Sequence, residues 1–318
     1  MLISFAVPTF RRCESLRKCL RSILQDPDQD IEVVVSDNAS PDGTQAVVAE
    51  FRDDVRLRYF RNEENIGMPR NVMETMRRCG GEYIFILTDD DCLRRGAIAC
   101  LRSALSRHPE VGYLVSPIAS VHEDDGRLRS VRNHFGGERL IRPGNSAALL
   151  AGRTAYILSR QVIRRDLIDF NFYGRVVQNG YFPCLVAADV ARRAPVLCIN
   201  EVMVWHRVGN IQHWNEFGKN WAEIYFRTHM DFIEALDLAY RVRGSLPPAN
   251  GSRWRTRGVT DYARLPPGVG LLGFWRGRGM GCGWHALFRR IPRSLQIYSV
   301  ALSICLLPVW IGRRLLGR

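Results

Sequence analysis

Short runs rich in apolar residues alternate with amphipathic stretches through the first 120 residues, and this alternation restricts the possible folds more than any other feature. Runs of strand length occupy Leu2–Val7, Ile31–Ser36 and Tyr83–Leu87, and Glu14–Leu24 places leucine and isoleucine at helical spacing. Repeated strand–helix–strand units build parallel sheets, because each helix returns the chain to the same edge. The sequence therefore predicts an α/β fold with a mainly parallel central sheet flanked by helices.

The remaining elements are predicted from the same patterns. Shorter or less regular segments continue the alternation: a strand at Leu57–Phe60, helices near 45–51, 70–79 and 97–106, and a strand at Gly112–Ser116. Ala155–Arg165 is predicted as a strand running into a helix, and Val196–Val204 as a strand. Trp214–Leu238 is predicted as a long helix with aromatic residues on its apolar side.

The positive charge lies in the last quarter of the chain. The formal net charge is +13, and residues 241–318 hold 14 arginines and one acid, Asp261, while the rest balances to zero. A composition change at Gly244–Pro248 marks a candidate boundary before this segment. Nucleic acid, an anionic membrane surface or a substrate bearing a diphosphate would each suit such a basic segment.

The segment Leu295–Leu316 is the most apolar of the chain. It is uncharged from Ile297 to Gly312, is interrupted by Pro308 and has arginines on both sides. That length is below the roughly 20 residues that a membrane-spanning helix needs. We expect a helix lying in the membrane interface or partly inserted, with a tilted transmembrane helix and a core helix as alternatives.

The cysteines and the amino terminus both indicate a cytosolic protein. Nine cysteines are scattered without CxxC pairs or zinc-ligand spacing, as expected for reduced thiols used as small apolar side chains. The first eight residues lack the basic and apolar regions of a secretory signal.

Three consecutive carboxylates, Asp89, Asp90 and Asp91, follow the apolar run Tyr83–Leu87. In open α/β sheets, ligands bind at the carboxyl ends of the strands, where this triplet would lie. Adjacent carboxylates repel one another, and a divalent cation holding a diphosphate would compensate them. The alternative is a solvated loop whose aspartates cap the following helix.

Three further motifs precede the triplet in a recognisable order. They are Val7-Pro8-Thr9-Phe10, the stretch Val35–Thr44 with Asp37, Asp42 and Gly43, and Asn65–Asn71. Together with Leu87–Asp91, this series resembles the family 2 inverting glycosyltransferases of the GT-A fold. The Asp-Asp-Asp form, Gln178 and Trp205–Arg207 are similar to the O-antigen deoxysugar, abequosyltransferase-like members.

The resemblance implies a role for each matching residue. Pro8 and Thr9 would line the nucleotide pocket, and Asp37 would accept a hydrogen bond from the base or ribose. Arg70 would lie near the diphosphate or sugar. Asp89 would face the ribose or sugar, Asp91 would ligate Mg²⁺ or Mn²⁺, and Asp90 could exchange roles with either neighbour.

Two further roles are less well matched. His206 follows a predicted strand at a place where such enzymes often carry a histidine near the metal, and His213 competes with it. The family presents its general base in a Glu-Asp or Asp pair, but this chain has no Glu-Asp pair there. Asp189 is the first candidate for the base, with Asp169 and Glu201 behind it.

The resemblance predicts a metal-dependent inverting transferase that moves one sugar from a nucleoside-diphosphate sugar to an acceptor hydroxyl. The acceptor would be a saccharide, such as a polyprenyl-diphosphate-linked one in O-antigen synthesis, at the cytoplasmic face of the inner membrane. The expected regions are a donor-binding part (1–135), an acceptor and catalytic part (136–243) and a membrane-associating extension (244–318). The alternatives are a nucleotidyltransferase and a non-enzymatic nucleic-acid-binding protein. If the chain is the glycosyltransferase, we expect it to have no nucleic-acid partner.

Overall fold

The computed structural model describes residues 1–122, 126–132, 137–155, 157–176 and 182–208. The chain divides into two compact units, Met1–Asn210 and Ile211–Arg318, and every described residue lies in the first. The predicted helix Trp214–Leu238, His213 and the apolar segment Leu295–Leu316 lie outside the described residues, as does Gln178.

The described residues form two sheets and seven α-helices. The strands are β1 (Ile3–Thr9), β2 (Ile31–Asp37), β3 (Leu57–Arg61), β4 (Tyr83–Ile86), β5 (Cys92–Leu93), β6 (Tyr113–Val115), β7 (Ile118–His122), β8 (Leu128–Arg132), β9 (Arg139–Ile141), β10 (Gln161–Arg164), β11 (Val196–Cys198) and β12 (Val204–Val208). The helices are α1 (Cys13–Leu24), α2 (Thr44–Ala49), α3 (Met68–Arg78), α4 (Ala97–Arg107), α5 (Asn145–Thr154), α6 (Phe170–Val176) and α7 (Phe182–Arg193). The large sheet has the order β3-β2-β1-β4-β10-β6-β11-β9, and the small sheet has the order β5-β12-β7-β8.

The amino-terminal half confirms the predicted strand–helix units. Strands β3, β2, β1 and β4 are parallel neighbours, and α1, α2 and α3 connect them. Every residue of β1, β2 and β4 is buried, which explains why these runs are mostly apolar and do not alternate strictly between apolar and polar residues. Helix α3 follows Gly67, whose φ of 84° lies in the left-handed region that favours glycine.

Register brings the predicted motifs to one edge of the large sheet. In the pairing of β1 with β2, Thr9 lies beside Asp37, so these two strands end together. In the pairing of β1 with β4, Ala6 lies beside Ile86, and the chain continues from there into Asp89. The carboxyl ends of three parallel strands therefore deliver three of the four motifs to the same edge.

The centre of the sheet differs from the prediction for Ala155–Arg165. The strand comes last in this segment, at β10, after a 3₁₀ turn at Leu158–Arg160, and a second 3₁₀ turn follows it. Strand β10 lies antiparallel between β4 and β6, where Val162 pairs with both Phe85 and Leu114. Because the partners of β10 are distant in sequence, the local pattern did not show which half of the segment would pair.

The predicted strand Val196–Val204 is two strands in different sheets. Strand β11 pairs with β6 in the large sheet, whereas β12 pairs with β5 and β7 in the small one. Strand β5 follows the aspartate triplet directly, and its Cys92 pairs with Trp205 of β12. The small sheet therefore places β12 against the carboxyl edge of β4.

The later helices α5 and α7 pack against one another. Both are rich in alanine, which weakens the apolar pattern that would have predicted them. Among the described helices, none has the length and apolarity needed to cross a membrane. The predicted regions 1–135, 136–243 and 244–318, the last of them membrane-associating, stay predictions. The first compact unit, Met1–Asn210, contains the predicted boundary at residue 135.

Candidate functional site

The aspartate triplet forms a tight turn at the end of β4. The amide of Asp91 donates to the carbonyl of Thr88 at 3.1 Å, which closes the turn. The hydroxyl of Ser159, in the 3₁₀ turn before β10, accepts a hydrogen bond from the Thr88 amide at 2.9 Å and lies 2.7 Å from the Thr88 hydroxyl. Asp89 and Asp91 are buried, at 3 % and 1 % exposure, while the side chain of Asp90 is 37 % exposed.

Asp89 lies between the first loop of the fold and the triplet. Its Oδ2 accepts a hydrogen bond from the Thr9 hydroxyl at 2.7 Å, and its Oδ1 is 3.0 Å from Nη1 of Arg12. The pKa of Asp89 is raised to about 6, chiefly by burial; the charge of Arg12 opposes the rise, and the charge of Asp90 adds to it. Thr9 and Asp89, 80 residues apart in sequence, are thus in direct contact.

Asp91 meets the second predicted metal ligand. Its Oδ1 is 2.9 Å from Nδ1 of His206 and accepts a hydrogen bond from the Arg207 amide at 3.1 Å. Its Oδ2 accepts a hydrogen bond from the Thr88 hydroxyl at 3.1 Å. A carboxylate oxygen and an imidazole nitrogen are both ligands that Mn²⁺ accepts. An ion shared by this pair would replace the hydrogen bond between them, so these residues fit a metal.

The described residues supply only part of such a coordination shell. Among the described residues there is no group of three or more histidine, cysteine, aspartate or glutamate side chains placed to hold a metal. Asp91 and His206 would contribute two ligands, and Mg²⁺ or Mn²⁺ takes about six. Phosphate oxygens of a bound diphosphate and water would complete the shell.

Asp37 is fully buried at the end of β2. Its Oδ1 accepts a hydrogen bond from the Ser40 amide at 2.9 Å, and its Oδ2 accepts one from the Tyr59 hydroxyl at 2.8 Å and lies 3.4 Å from Arg61. These bonds hold the loop after β2 in shape. A direct bond from Asp37 to a base or ribose stays a prediction.

The two loops that would surround a nucleotide hold one another. The Arg11 amide donates to the Ser40 hydroxyl at 3.0 Å, and the Asn38 amide donates to the carbonyl of Thr9 at 3.0 Å. Arg11 and Ala39 both have left-handed backbone conformations, with φ of 55° and 60°. Such conformations are unfavourable for residues other than glycine and persist where surrounding contacts enforce them.

A set of asparagines joins the same region to α3. Asn38 accepts hydrogen bonds from the Ile66 amide at 2.9 Å and from Asn62 at 3.2 Å, and donates to Asn65 at 2.7 Å. Asn62 also donates to Asn71 of α3 at 3.0 Å. This network shapes the loop that precedes α3.

The other predicted residues take different positions around this edge. Pro8 is buried within β1 and would act through its backbone, and Arg70 is exposed in the first turn of α3. Among the described hydrogen bonds and ion pairs, those of Asp37 do not reach the triplet, and none joins Arg70 to it. Their proposed contacts therefore depend on a bound donor.

The candidates for the base lie in the later part of the unit. Asp189 is buried in α7, and its Oδ2 accepts hydrogen bonds from the Tyr173 hydroxyl at 2.9 Å and from Arg193 at 3.1 Å. Asp169 accepts a hydrogen bond from the Phe172 amide at the start of α6, and Glu201 is exposed. None of these described bonds connects a candidate to the triplet, and the identity of the base stays a prediction.

Sequence reasoning assigned no role to three side chains that hold the triplet in place. They are Arg12, Ser159 and Arg207, whose Nε donates to the carbonyl of Asp90 at 2.6 Å. Arg12 lies three residues after Thr9, so its closeness to the first motif was a signal that the sequence already contained. Ser159 and Arg207 come from distant segments, and only the arrangement of β10 and β12 brings them here.

A known protein family matches the part of the chain that carries these loops. The family model "Glycosyl transferase family 2" matches residues 4–170, more than half of the chain. The chain belongs to glycosyl transferase family 2. This stretch covers the three loops at the carboxyl edge and Ser159, and it ends before β12, which carries His206.

Two curated relatives are similar over the amino-terminal part. Abequosyltransferase RfbV of Salmonella typhimurium is 36 % identical over 191 residues, which cover 54 % of this chain and 56 % of RfbV. The GalNAc(5)-diNAcBac-PP-undecaprenol beta-1,3-glucosyltransferase of Campylobacter jejuni is 38 % identical over 180 residues, with the same coverages. The chain thus matches little more than half the length of each relative.

Solved structures share the fold. Residues 1–349 of TarS from S. aureus, in complex with UDP-GlcNAc, match with a TM-score of 0.70 at 15 % identity, covering 100 % of this chain and 93 % of that one. The mannosyltransferase PcManGT from Pyrobaculum calidifontis, in complex with GDP-Man and Mn²⁺, matches with a TM-score of 0.54 at 17 % identity, covering 97 % and 86 %. At such identities the likeness shows the fold, the predicted α/β architecture of GT-A type.

Proposed function

We propose that this protein is a metal-dependent inverting glycosyltransferase that moves a single sugar from a nucleoside-diphosphate sugar to an acceptor hydroxyl. One observation carries the proposal: the meeting of Thr9, Asp89, Asp91 and His206 at the carboxyl edge of the sheet. Family membership supports glycosyl transfer over the nucleotidyltransferase and nucleic-acid-binding alternatives.

The donor nucleotide would bind between the loops that follow β1 and β2. Pro8 and Thr9 would line the pocket, Asp37 would meet the base or ribose, and Asp89 would face the ribose or sugar. Arg70 is exposed at the start of α3, so its guanidinium can reach an anionic group in solution. The mutual bonds of the two loops support a preformed pocket, which reduces the entropy lost on binding.

Mg²⁺ or Mn²⁺ would be held by Asp91 and His206, with Asp90 as the alternative carboxylate. When bound, the ion supplies positive charge that stabilises the departing diphosphate. The protein contributes orientation: Thr88 and the Arg207 amide fix the carboxylate of Asp91, and the strand pairing of β12 fixes His206. The Mn²⁺ bound to PcManGT supports this choice of ion.

Inversion requires a base that removes the proton of the acceptor hydroxyl as it attacks the anomeric carbon. We retain Asp189 as the first candidate, ahead of Asp169 and Glu201. Tyr173 and Arg193 both donate hydrogen bonds to its Oδ2, so the carboxylate is held in a fixed orientation. The same bonds suit a packing role for Asp189. Asp189→Asn distinguishes the two roles, because loss of a base lowers kcat whereas loss of packing lowers stability.

The acceptor is proposed to be a saccharide carried on a polyprenyl diphosphate, as in the synthesis of O-antigen and other surface polysaccharides. The Campylobacter relative, whose name includes PP-undecaprenol, supports this class of acceptor. The 14 arginines of residues 241–318 suit both a diphosphate and an anionic lipid surface. We propose contact with the cytoplasmic face of the inner membrane through this segment.

A donor screen tests the proposal. Purified protein is incubated with UDP-, GDP-, CDP- and dTDP-sugars in Mn²⁺, Mg²⁺ or EDTA, and release of the nucleoside diphosphate is measured. We expect release with one donor class, dependent on a divalent ion. Asp91→Asn should lower the rate by about 100-fold or more, because it removes a charge that binds the ion.

The control replaces an aspartate that touches nothing in the site. Asp53 is 97 % exposed, and its only described contact is a 3.8 Å pair with Arg52, so Asp53→Asn should leave the rate within about twofold. Absence of release with every donor would contradict glycosyl transfer. Full activity of Asp91→Asn would contradict the metal site while leaving the transferase reaction in place.

A further inference from the structure

Arg12 joins two of the three carboxylates of the triplet through a single nitrogen. Its Nη1 lies 3.0 Å from Oδ1 of Asp89 and 2.6 Å from Oδ2 of Asp90. The residue immediately precedes α1, and its own carbonyl accepts the first helical hydrogen bond, from Leu16 at 2.9 Å. The start of the helix therefore fixes the backbone of Arg12, and the side chain is 29 % exposed.

Asp91 has a different set of partners. It accepts hydrogen bonds from a hydroxyl, a backbone amide and the ring of His206, and the guanidinium of Arg12 contacts only its two neighbours. Three adjacent carboxylates would repel one another strongly when partly buried. One arginine shared by Asp89 and Asp90 reduces that repulsion and directs both carboxylates towards itself.

We propose that Arg12 is the resident counter-ion of Asp89 and Asp90, a positioning residue that withholds these two carboxylates from the cation. Asp91 and His206 are thereby left as the protein ligands, and the cation binds well only together with the diphosphate of the donor. This inference rests on the proposed function, because it concerns the same metal and donor site.

The charge balance explains the expected dependence on the donor. With Arg12 in place, the triplet attracts a free divalent ion weakly, and a diphosphate meets the positive charge of Arg12 at the same edge. Without Arg12, two carboxylates become available to the free ion, and the anionic donor meets more negative charge. The two affinities should therefore change in opposite directions, whereas general damage to the site would lower both.

The test compares Arg12→Gln with Arg12→Lys and with Arg17→Gln in the full chain. Arg17 is the matched control: it lies on α1 and pairs with Glu14 and Glu50, away from the triplet. Free Mn²⁺ is measured by electron paramagnetic resonance to obtain its affinity without nucleotide. The affinities for UDP, GDP, CDP and dTDP are measured by calorimetry in EDTA.

For Arg12→Gln we expect the affinity for Mn²⁺ alone to rise about tenfold and the affinity for the preferred nucleoside diphosphate to fall about tenfold. A change of this size is the effect of one unit charge a few ångströms from a divalent ion in water, about tenfold. Arg12→Lys keeps the charge and should change each affinity by less than about threefold. Arg17→Gln should change neither. A fall in both affinities, or no change in either, would overturn the assignment.

A second variant keeps the test informative if Arg12→Gln does not fold, as judged by circular dichroism. The double variant Arg12→Gln/Asp90→Asn restores the charge balance and should bind Mn²⁺ alone with nearly wild-type affinity. An affinity for Mn²⁺ well below that of wild type would contradict the proposal. If wild-type protein binds no nucleoside diphosphate and turns over no donor, the proposed function fails. If wild type is active but the opposite changes are absent, only the role of Arg12 fails.

Discussion

Asn71 offers a quantitative test of how the donor-binding edge is held together. It is 2 % exposed, and its amide joins β2 to the loop before α3. Its Nδ2 donates to the carbonyl of Ser36 at 2.9 Å, and its Oδ1 accepts from the Ser36 hydroxyl at 2.9 Å and from Asn62 at 3.0 Å. Asn71→Ala removes all three bonds.

The magnitude follows from counting what each partner retains. Three neutral hydrogen bonds contribute about 1 kcal/mol each, and alanine regains about 0.5 kcal/mol through its helix propensity. The Ser36 hydroxyl still accepts from Arg78 at 2.8 Å, and Asn62 still donates to Asn38, so these two groups are not left unsatisfied. We therefore expect the free energy of unfolding to fall by about 2–3 kcal/mol.

Urea denaturation followed by circular dichroism measures this loss. Glu74→Ala is the control, because Glu74 lies on the same helix with a partly exposed 3.6 Å pair to Arg77, and its loss should cost less than about 0.5 kcal/mol. Since the network shapes the loop before Arg70, the KM for the donor should rise more than kcat falls. An Asn71→Ala variant as stable as the control would refute this account of the edge.

Three further predictions concern other parts of the unit. If Asp189 is the base, Asp189→Asn lowers kcat by about 100-fold or more while the fold stays intact. If the variant loses stability but keeps its kcat, the carboxylate of Asp189 has a packing role instead. Burial alone would raise the pKa of Glu32, but its hydrogen bonds and the charge of Arg58 outweigh burial, so the pKa lies below its ordinary 4.5. The ionised form therefore contributes stability above that pH and loses it on acidification, and acid titration of Glu32→Gln should show a flatter loss. Gly112→Ala should lower the free energy of unfolding by about 1–3 kcal/mol in urea titrations, because its Cβ would lie 2.4 Å from that of Ala194.

The position of β12 decides how much of the site a sequence pattern can reveal. His206, 115 residues from Asp91, was predicted as a metal ligand because it follows a predicted strand at a place where the resembled enzymes often carry a histidine. The small sheet delivers it: β5 follows the triplet directly, and pairing of Cys92 with Trp205 fixes the register of β12. A one-residue slip in that pairing would turn His206 to the opposite face of the strand.

The sequence by itself determined the strands and helices of the first half and the edge at which their motifs meet. Apolar runs such as Tyr83–Leu87 have strand length, and parallel strands end on the same side, so Thr9, Asp37 and Asp89 had to lie near one edge. Tertiary structure alone decided the contacts of Arg12 and the insertion of β10. Those depend on pairings between distant segments, whose free energy comes from packing across the whole unit and leaves no periodic pattern in the local sequence.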